Sequence, residues 1–296
     1  MSELTSTPVV LTPAADEAKP WRLTLRNRRG RTILGIVLCL LFLGLVISST
    51  FILGQEGLRT NLEARNQSPH LAAPFGTDWL GRDMLTRTLM GLSLSLRVGL
   101  LAAGVSAVVA VALGVLAGVF GGWVDAVISW LVDVFLSLPH LVLLILISFA
   151  VGGGVTGVVV AIALTHWPSL TRVIRAETLA VKSTDYVHLS AKLGRSPWWI
   201  ARRHMLPHLV PQFLVGLILL FPHAILHEAG LTFVGIGLSP HTPAIGIILA
   251  ESMRHLSTGY WWLAVLPGLA LLLSVKAFDI LGENVRSLLD PKTSQE

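Results

Sequence analysis

The amino-acid sequence predicts an all-α integral membrane protein with six transmembrane helices, and three features of its composition lead to that fold class. Of its 296 residues, 53% are hydrophobic and only 13% charged, whereas a soluble domain carries about 25% charged residues. The mean hydropathy is +0.72. The charges are also bunched, since Asp125 and Asp133 are the only Asp, Glu, Lys or Arg residues between Val98 and Thr171. Apolar runs of about 20 residues can cross a bilayer.

The first predicted span is Thr32–Leu53, which follows a basic tail of residues 1–31. Segments rich in Lys and Arg stay in the cytoplasm, so we expect this tail to be cytoplasmic and the first span to run outward. The polar segment 54–91 is then an extracytoplasmic loop.

Five further spans are predicted within a core of residues 92–285. They are Ser93–Phe120, Val127–Val151, Val155–Leu170, Leu209–Ile236 and Tyr260–Leu281. Gly121-Gly122 and the run 152–154 supply tight turns on either side of the third span. With six spans, both termini are predicted to be cytoplasmic, including a short tail of residues 286–296.

Several function classes are disfavoured by the residues. The formal net charge is +5, but the basic residues flank apolar spans, which indicates membrane topology and lipid contact and not nucleic acid binding. The single cysteine, Cys39, excludes an intrachain disulfide and Cys-based metal motifs. A zinc-protease reading of His227-Glu228 fails because Leu231 stands where the second histidine is needed. We therefore expect a protein that is not an enzyme.

The most informative segment is the positively charged stretch 172–207, predicted to be a cytoplasmic loop. Thr184 or Asp185 can cap a short helix that runs to Leu193, and Gly194 can end it in a left-handed conformation. Ser196-Pro197 can begin a second helix. An ordinary amphipathic loop is the simpler alternative, and a helix presented to a partner protein is the other.

This segment resembles the coupling loop of binding-protein-dependent ABC importers, whose pattern is E-A-A, three residues, G, nine residues, I-x-L-P. Gly194 and Leu206-Pro207 match it. Two departures are His188-Leu189-Ser190 in place of Glu-Ala-Ala and His204 in place of isoleucine. The residues that the resemblance implies in ATPase coupling are Thr184, Asp185, Tyr186, His188, Leu189, Ser190, Leu193, Gly194, Leu206 and Pro207.

A second motif, FGTD-x-LGRD-x-x-x-R, begins at Phe75 and ends at Arg87. It resembles the C-type permeases of the dipeptide, oligopeptide and nickel ABC importers, and the likeness extends from about Leu25 to Pro291. The resemblance implies a type I ABC importer permease fold in a bacterial inner membrane. It also implies a homologous B-type permease subunit, two ABC ATPase subunits and an extracytoplasmic substrate-binding protein as partners. The chain has no G-x-x-x-x-G-K-[ST] loop, so we expect it to bind no cofactor, with ATP and Mg held by the ATPases.

Within the second motif, glycine turns are expected to bring Asp78, Arg82, Asp83 and Arg87 together. An Arg–carboxylate network could brace the outer loop against the spans. Direct contact with the substrate-binding protein is the alternative.

Four ionisable residues inside predicted spans are candidates for the substrate pathway: His166, His223, His227 and Glu228. His223 and His227 share a helix face at i and i+4, and imidazoles are good ligands for Ni, Cu and Zn, so these two could hold a metal transiently. Simple hydrogen bonding to neighbouring helices is the alternative. His166-Trp167 and the H-x-x-x-H pattern resemble the nickel-type permeases. The expected cargo is therefore nickel or another metal chelate, with di- or oligopeptides as the alternative and a passive channel as the rival class.

Overall fold

A computed structural model describes residues 28–239 and 242–289, and this part of the chain is helical without extended strands. The predicted basic tail lies almost wholly outside the described residues, as do residues 290–296 of the predicted cytoplasmic tail. The helices are α1 (Arg28–Ile52), α2 (Met84–Phe120), α3 (Gly122–Ser137), α4 (His140–Ala150), α5 (Gly154–Thr165), α6 (Trp167–Lys182), α7 (Asp185–Lys192), α8 (Pro197–Ile200), α9 (Leu206–Phe233), α10 (Ile245–Met253) and α11 (Trp262–Leu289). A π-helical turn, Ala201–Met205, joins α8 to α9.

Five helical segments of the described chain are long and apolar enough to cross a membrane. They are Thr32–Ile52, Met84–Phe120, Gly154–Lys182, Pro197–Phe233 and Trp262–Leu289. A sixth crossing is possible if α3 and α4, which meet at an angle of 99°, form one broken span. The all-α membrane fold class is confirmed.

The third predicted span, Val127–Val151, is wrong in its shape, because it is not one straight helix. Leu138 takes an extended conformation with ψ of 144°, as expected for a residue that precedes proline. Pro139 then begins α4. The apolar run continues across the bend, so hydropathy alone reveals no break there.

Two further boundaries differ from the prediction. α2 begins at Met84 and not near Ser93, since Asp83 caps it and nothing interrupts the helix. The fourth predicted span ends at Leu170, but its helix continues well into the segment 172–207, which also contains the two predicted short helices as α7 and α8. α6 reaches Lys182, and Arg175, a basic residue just beyond the predicted end of the span, forms an ion pair with Asp125 of α3.

The fourth crossing is jointed at His166, between α5 and α6. Pro168 has no N–H with which to bond the carbonyl of Leu164 four residues earlier. The indole Nε1 of Trp167 donates to that carbonyl instead, at 2.9 Å. The backbone carbonyl of Leu164 is therefore paired despite the joint. His166 lies at the junction, between the end of α5 and the start of α6.

The long helix α2 lies at the centre of the bundle and packs along α6, α9, α1 and α5. Gly114 and Gly118 of α2 face Ile174 and Thr178 of α6, which allows the backbones a close approach. Lys182 Nζ closes the end of this pair by donating to the carbonyls of Gly118 and Val119, at 3.0 and 2.7 Å. We call this end of the bundle, from which α7 projects, the α7 end, and the other the α10 end.

Candidate functional site

Asp78 is the centre of a buried ion network at the α10 end. Its Oδ1 accepts hydrogen bonds from the backbone N–H groups of Leu80 and Arg82, both at 2.9 Å. Its Oδ2 accepts from Arg82 Nε and Arg87 Nη1, both at 2.7 Å. The Asp78 side chain has no solvent exposure, so the network is built into the protein and not laid on its surface.

Arg87 extends this network to a helix far away in sequence. Its Nη2 donates to Glu251 Oε2 of α10 at 2.8 Å. Sequence reasoning missed Glu251, because no local spacing links residues 164 positions apart. Asp83, which was expected in the network, instead caps α2 by accepting from the N–H and hydroxyl of Thr86, at 2.7 and 2.6 Å.

A glycine holds the turn that positions Asp78. Gly81 has φ of +73°, and a Cβ there would lie 1.7 Å from the backbone oxygen of Asn61. Only glycine combines a left-handed backbone with so close an approach.

The predicted coupling segment contains an eight-residue helix, α7, that stands out from the α7 end. Val187 is buried and anchors it, whereas Tyr186, Leu189 and Leu193 are exposed apolar side chains. Thr184 precedes the helix, but its hydroxyl donates back to Val181 O at 2.6 Å and does not cap α7.

Gly194 ends the α7 turn with φ of +78°, and a Cβ there would meet nothing within 4 Å. Ser196 caps α8, where its hydroxyl accepts from Trp199 N at 3.3 Å. Leu206 and Pro207 form the first turn of α9. Asp185, His188 and Ser190 complete the predicted set on α7 itself.

The two departures from the coupling-loop pattern contact each other. Ser190 Oγ donates to Tyr186 O at 2.8 Å, and His204 Nε2 lies 3.2 Å from Ser190 Oγ. The His204 ring also meets Tyr186 and Trp199 edge-on, with centroids 5.5 and 5.4 Å apart. Polar and aromatic contacts therefore join α7 and α8 to the π turn that leads into α9.

A cavity of about 790 Å³ lies between α6 and α9 and reaches the last turn of α11. Half of its 18 lining residues are polar or charged, and the other half are apolar side chains and one glycine. The polar and charged lining residues are His140, Thr165, His166, Ser169, Glu177, Gln212, His223, His227 and Arg286. Glu177 accepts a hydrogen bond from Gln212 Nε2 at 3.1 Å, so charges and amides occupy the α7 end of the cavity.

Three histidines, of which His166 is buried and the other two are half-buried, cluster on the wall of this cavity. His140, His166 and His227 have ring centroids 4.7 to 4.9 Å apart. His166 Nε2 and His227 Nδ1 are separated by 3.2 Å. Among the described residues, these are the His, Cys, Asp or Glu side chains that lie close enough together, as a group of three, to hold a metal ion.

The cluster differs from the predicted set in two members. His223 lines the cavity but is not part of the cluster, and His140, which sequence reasoning passed over, takes its place. The only signal for His140 was its position directly after Pro139. Glu228 lies elsewhere: it is buried, its Oε1 accepts from Thr232 Oγ1 at 2.9 Å, and it does not line the cavity. Consecutive helical residues point in directions about 100° apart, which separates Glu228 from His227.

The chain is similar to known transport proteins along its length. The family model described as "Binding-protein-dependent transport system inner membrane component" matches residues 110–295. The dipeptide transport system permease protein DppC of Bacillus subtilis (strain 168) is 31% identical over 92% of this chain and 84% of its own length. The glutathione transport system permease protein GsiD of Pectobacterium atrosepticum is 35% identical over 77% of this chain and 75% of its own.

Among solved structures, an inward-facing form of the MetNI methionine ABC transporter superposes with a TM-score of 0.52 and 23% identity. The match covers 68% of this chain and 96% of that one. At this identity the likeness concerns the fold, and it confirms the expected type I permease architecture.

Proposed function

The chain belongs to the family of binding-protein-dependent transport system inner membrane components, and we propose that it is the permease subunit of an ATP-driven importer of di- or oligopeptides. The observation that carries the choice of cargo is similarity at 31 to 35% identity to permeases named for dipeptide and glutathione transport. Nickel, which the histidine pattern favoured, has no such support, so the peptide alternative replaces it.

The cavity is compatible with this cargo. Its volume of about 790 Å³ lies within the range of small-molecule sites, about 300–1,000 Å³. Glu177 and Arg286 on its wall have opposite charges, which suits a zwitterionic peptide, and the apolar remainder suits varied side chains. His223, His227 and His166 would then be pathway residues for peptides.

We further propose that α7 is the coupling helix and that the α7 end is cytoplasmic. Lys182, Lys192 and Arg195 lie at this end, as the positive-inside rule requires. Exposed apolar side chains on a short helix also indicate a covered surface, here Tyr186, Leu189 and Leu193. A passive channel would have no use for such a surface.

In this proposal the chain works beside a homologous B-type permease, two ABC ATPases and an extracytoplasmic binding protein. The ATPases bind ATP and Mg and perform the hydrolysis, so this chain is a transport subunit and not an enzyme. Closure of the ATPases would move α7, and the attached spans would rock between inward-facing and outward-facing states.

Uptake in cells tests the choice of cargo. We expect that cells lacking this chain lose most uptake of a labelled dipeptide or oligopeptide, that nickel uptake is unchanged, and that the chain supplied in trans restores the peptide uptake. Loss of nickel uptake with intact peptide uptake would overturn the proposed cargo. Peptide uptake that survives ATP depletion would favour the passive channel.

Substitution of Gly194 tests the coupling role. Gly194→Trp adds left-handed strain and places a large side chain in open space beside α7, where an ATPase would dock. We expect at least a tenfold fall in uptake with normal membrane insertion. Gly259→Trp is the matched control, since Gly259 has φ of +89°, is equally open and lies at the α10 end. Equal losses in both variants would assign the effect to strain.

A further inference from the structure

We propose that His140, His166 and His227 form a binding site for one borderline divalent transition metal ion, such as Zn²⁺, Ni²⁺ or Cu²⁺. The three imidazoles come from three different helical segments, and each offers one nitrogen within 4.8 Å of the others. Neutral imidazole is a preferred ligand of these ions. The proposal concerns the protein's own site and does not depend on which cargo is transported.

The distances are close to those that a metal needs. A tetrahedral ion with bonds of about 2.0–2.1 Å to imidazole nitrogen holds its ligands about 3.4 Å apart. The 3.2 Å between His166 Nε2 and His227 Nδ1 shows that these two rings are already in contact, although His227 would bind the ion through its other nitrogen, Nε2. A separation as large as 4.8 Å would have to close by about 1.4 Å, a change within the reach of small rotations of the imidazole side chains.

Backbone carbonyls orient two of the rings. His166 Nδ1 lies 3.1 Å from Ile162 O, and His227 Nδ1 lies 2.7 Å from His223 O. A carbonyl only accepts, so each Nδ1 carries the proton and each Nε2 keeps a lone pair. Carbonyl contacts of this kind are the usual outer support of metal-binding histidines.

The surroundings allow an ion to enter and to keep an open coordination position. All three histidines line the cavity, so the site is reachable from it. Three protein ligands leave a fourth position for water or an anion.

The positions of the three residues in the fold give the site a mechanical consequence. His140 is the first residue of α4, just past the 99° bend. His166 is the joint between α5 and α6, and His227 lies within α9. A bound ion would tie the two joints to α9 and oppose movement between them.

Direct binding is the test. The full-length chain, prepared without a polyhistidine tag in detergent or nanodiscs, is titrated with Co²⁺ and Zn²⁺. We expect one ion per chain, visible d–d absorption typical of nitrogen-ligated Co²⁺, and a rise in Tm on Zn²⁺ addition. His140→Ala should weaken binding by at least tenfold and abolish the rise in Tm.

The matched control is His223→Ala. It removes a cavity histidine outside the cluster and keeps the backbone carbonyl that orients His227, so binding should match that of the unaltered chain. His166→Asn, checked for a monodisperse elution profile, should bind as weakly as His140→Ala. Equal affinity in all four proteins, or a loss in His223→Ala as large as in His140→Ala, would overturn the proposed site.

Discussion

Removal of Arg87 should destabilise the protein strongly, because Arg87 joins two otherwise separate carboxylates. The substitution Arg87→Met keeps the apolar stem and deletes the guanidinium. Asp78, which has no exposed surface, would then retain only Arg82 and two backbone N–H groups. Glu251, whose side chain is 29% exposed, would lose its link to the turn that holds Asp78.

The expected magnitude follows from burial. Breaking a buried ion pair by removing one partner costs about 3–5 kcal/mol. Since Asp78 keeps three donors, we expect about 3 kcal/mol for Arg87→Met, at the lower end of that range. Arg82 is 21% exposed and contributes a single charged hydrogen bond from its side chain. Arg82→Met should therefore cost less, about 1.5–2 kcal/mol.

Reversible unfolding in mixed detergent and dodecyl sulfate micelles, followed by circular dichroism, measures both free energies. Asp78→Asn combined with Arg87→Met completes a double-mutant cycle, in which we expect a coupling free energy above about 1 kcal/mol. A change within about 0.5 kcal/mol for Arg87→Met, the range of ordinary surface substitutions, would refute the bracing role. Lost uptake at unchanged stability would instead favour contact with the substrate-binding protein.

Two further predictions concern helix packing and the coupling segment. Gly118→Ala places a Cβ 2.6 Å from Thr178 Cγ2 and should cost about 1–3 kcal/mol in the same unfolding assay. Gly104→Ala, in the same helix with nothing within 4 Å, should be neutral or stabilising by up to about 1 kcal/mol; equal effects would contradict the close-packing argument. Ser190→Ala removes the polar contact with His204 and should increase hydrogen exchange in α7 at unchanged global stability, whereas exchange equal to that of the unaltered chain would contradict it.

Much of the architecture could be predicted because its causes are local. Apolar runs mark the spans, and glycines such as Gly194 mark turns whose φ values only glycine adopts readily. The bend at Pro139 could not be predicted from hydropathy, since both of its arms are apolar. The length of α6 could not be predicted either. A basic residue such as Arg175 usually marks the end of a span, and the sequence does not show that it pairs with Asp125.

The two candidate sites differ in the same way: the ion network around Asp78 depends on local sequence, and the histidine cluster does not. Asp78, Arg82 and Arg87 lie within ten residues of one another. The turn that brings them together contains glycines, which the sequence shows directly. The histidine cluster depends on which helices become neighbours. Helical spacing places His223 and His227 on one side of α9, but it cannot reveal that His140 and His166 face His227 across the cavity.

The contact between Ser190 and His204 explains how the proposed coupling segment accommodates its two unusual residues. Each residue alone departs from the family pattern, yet together they tie α7 to the π turn that continues into α9. A push on α7 would therefore reach α9 through side chains as well as through the backbone. Because α9 also carries His227, displacement of α7 and closure of the histidine cluster act on the same helix. A metal ion held there would resist the motion that ATPase docking is proposed to drive, so the two proposed sites should oppose each other.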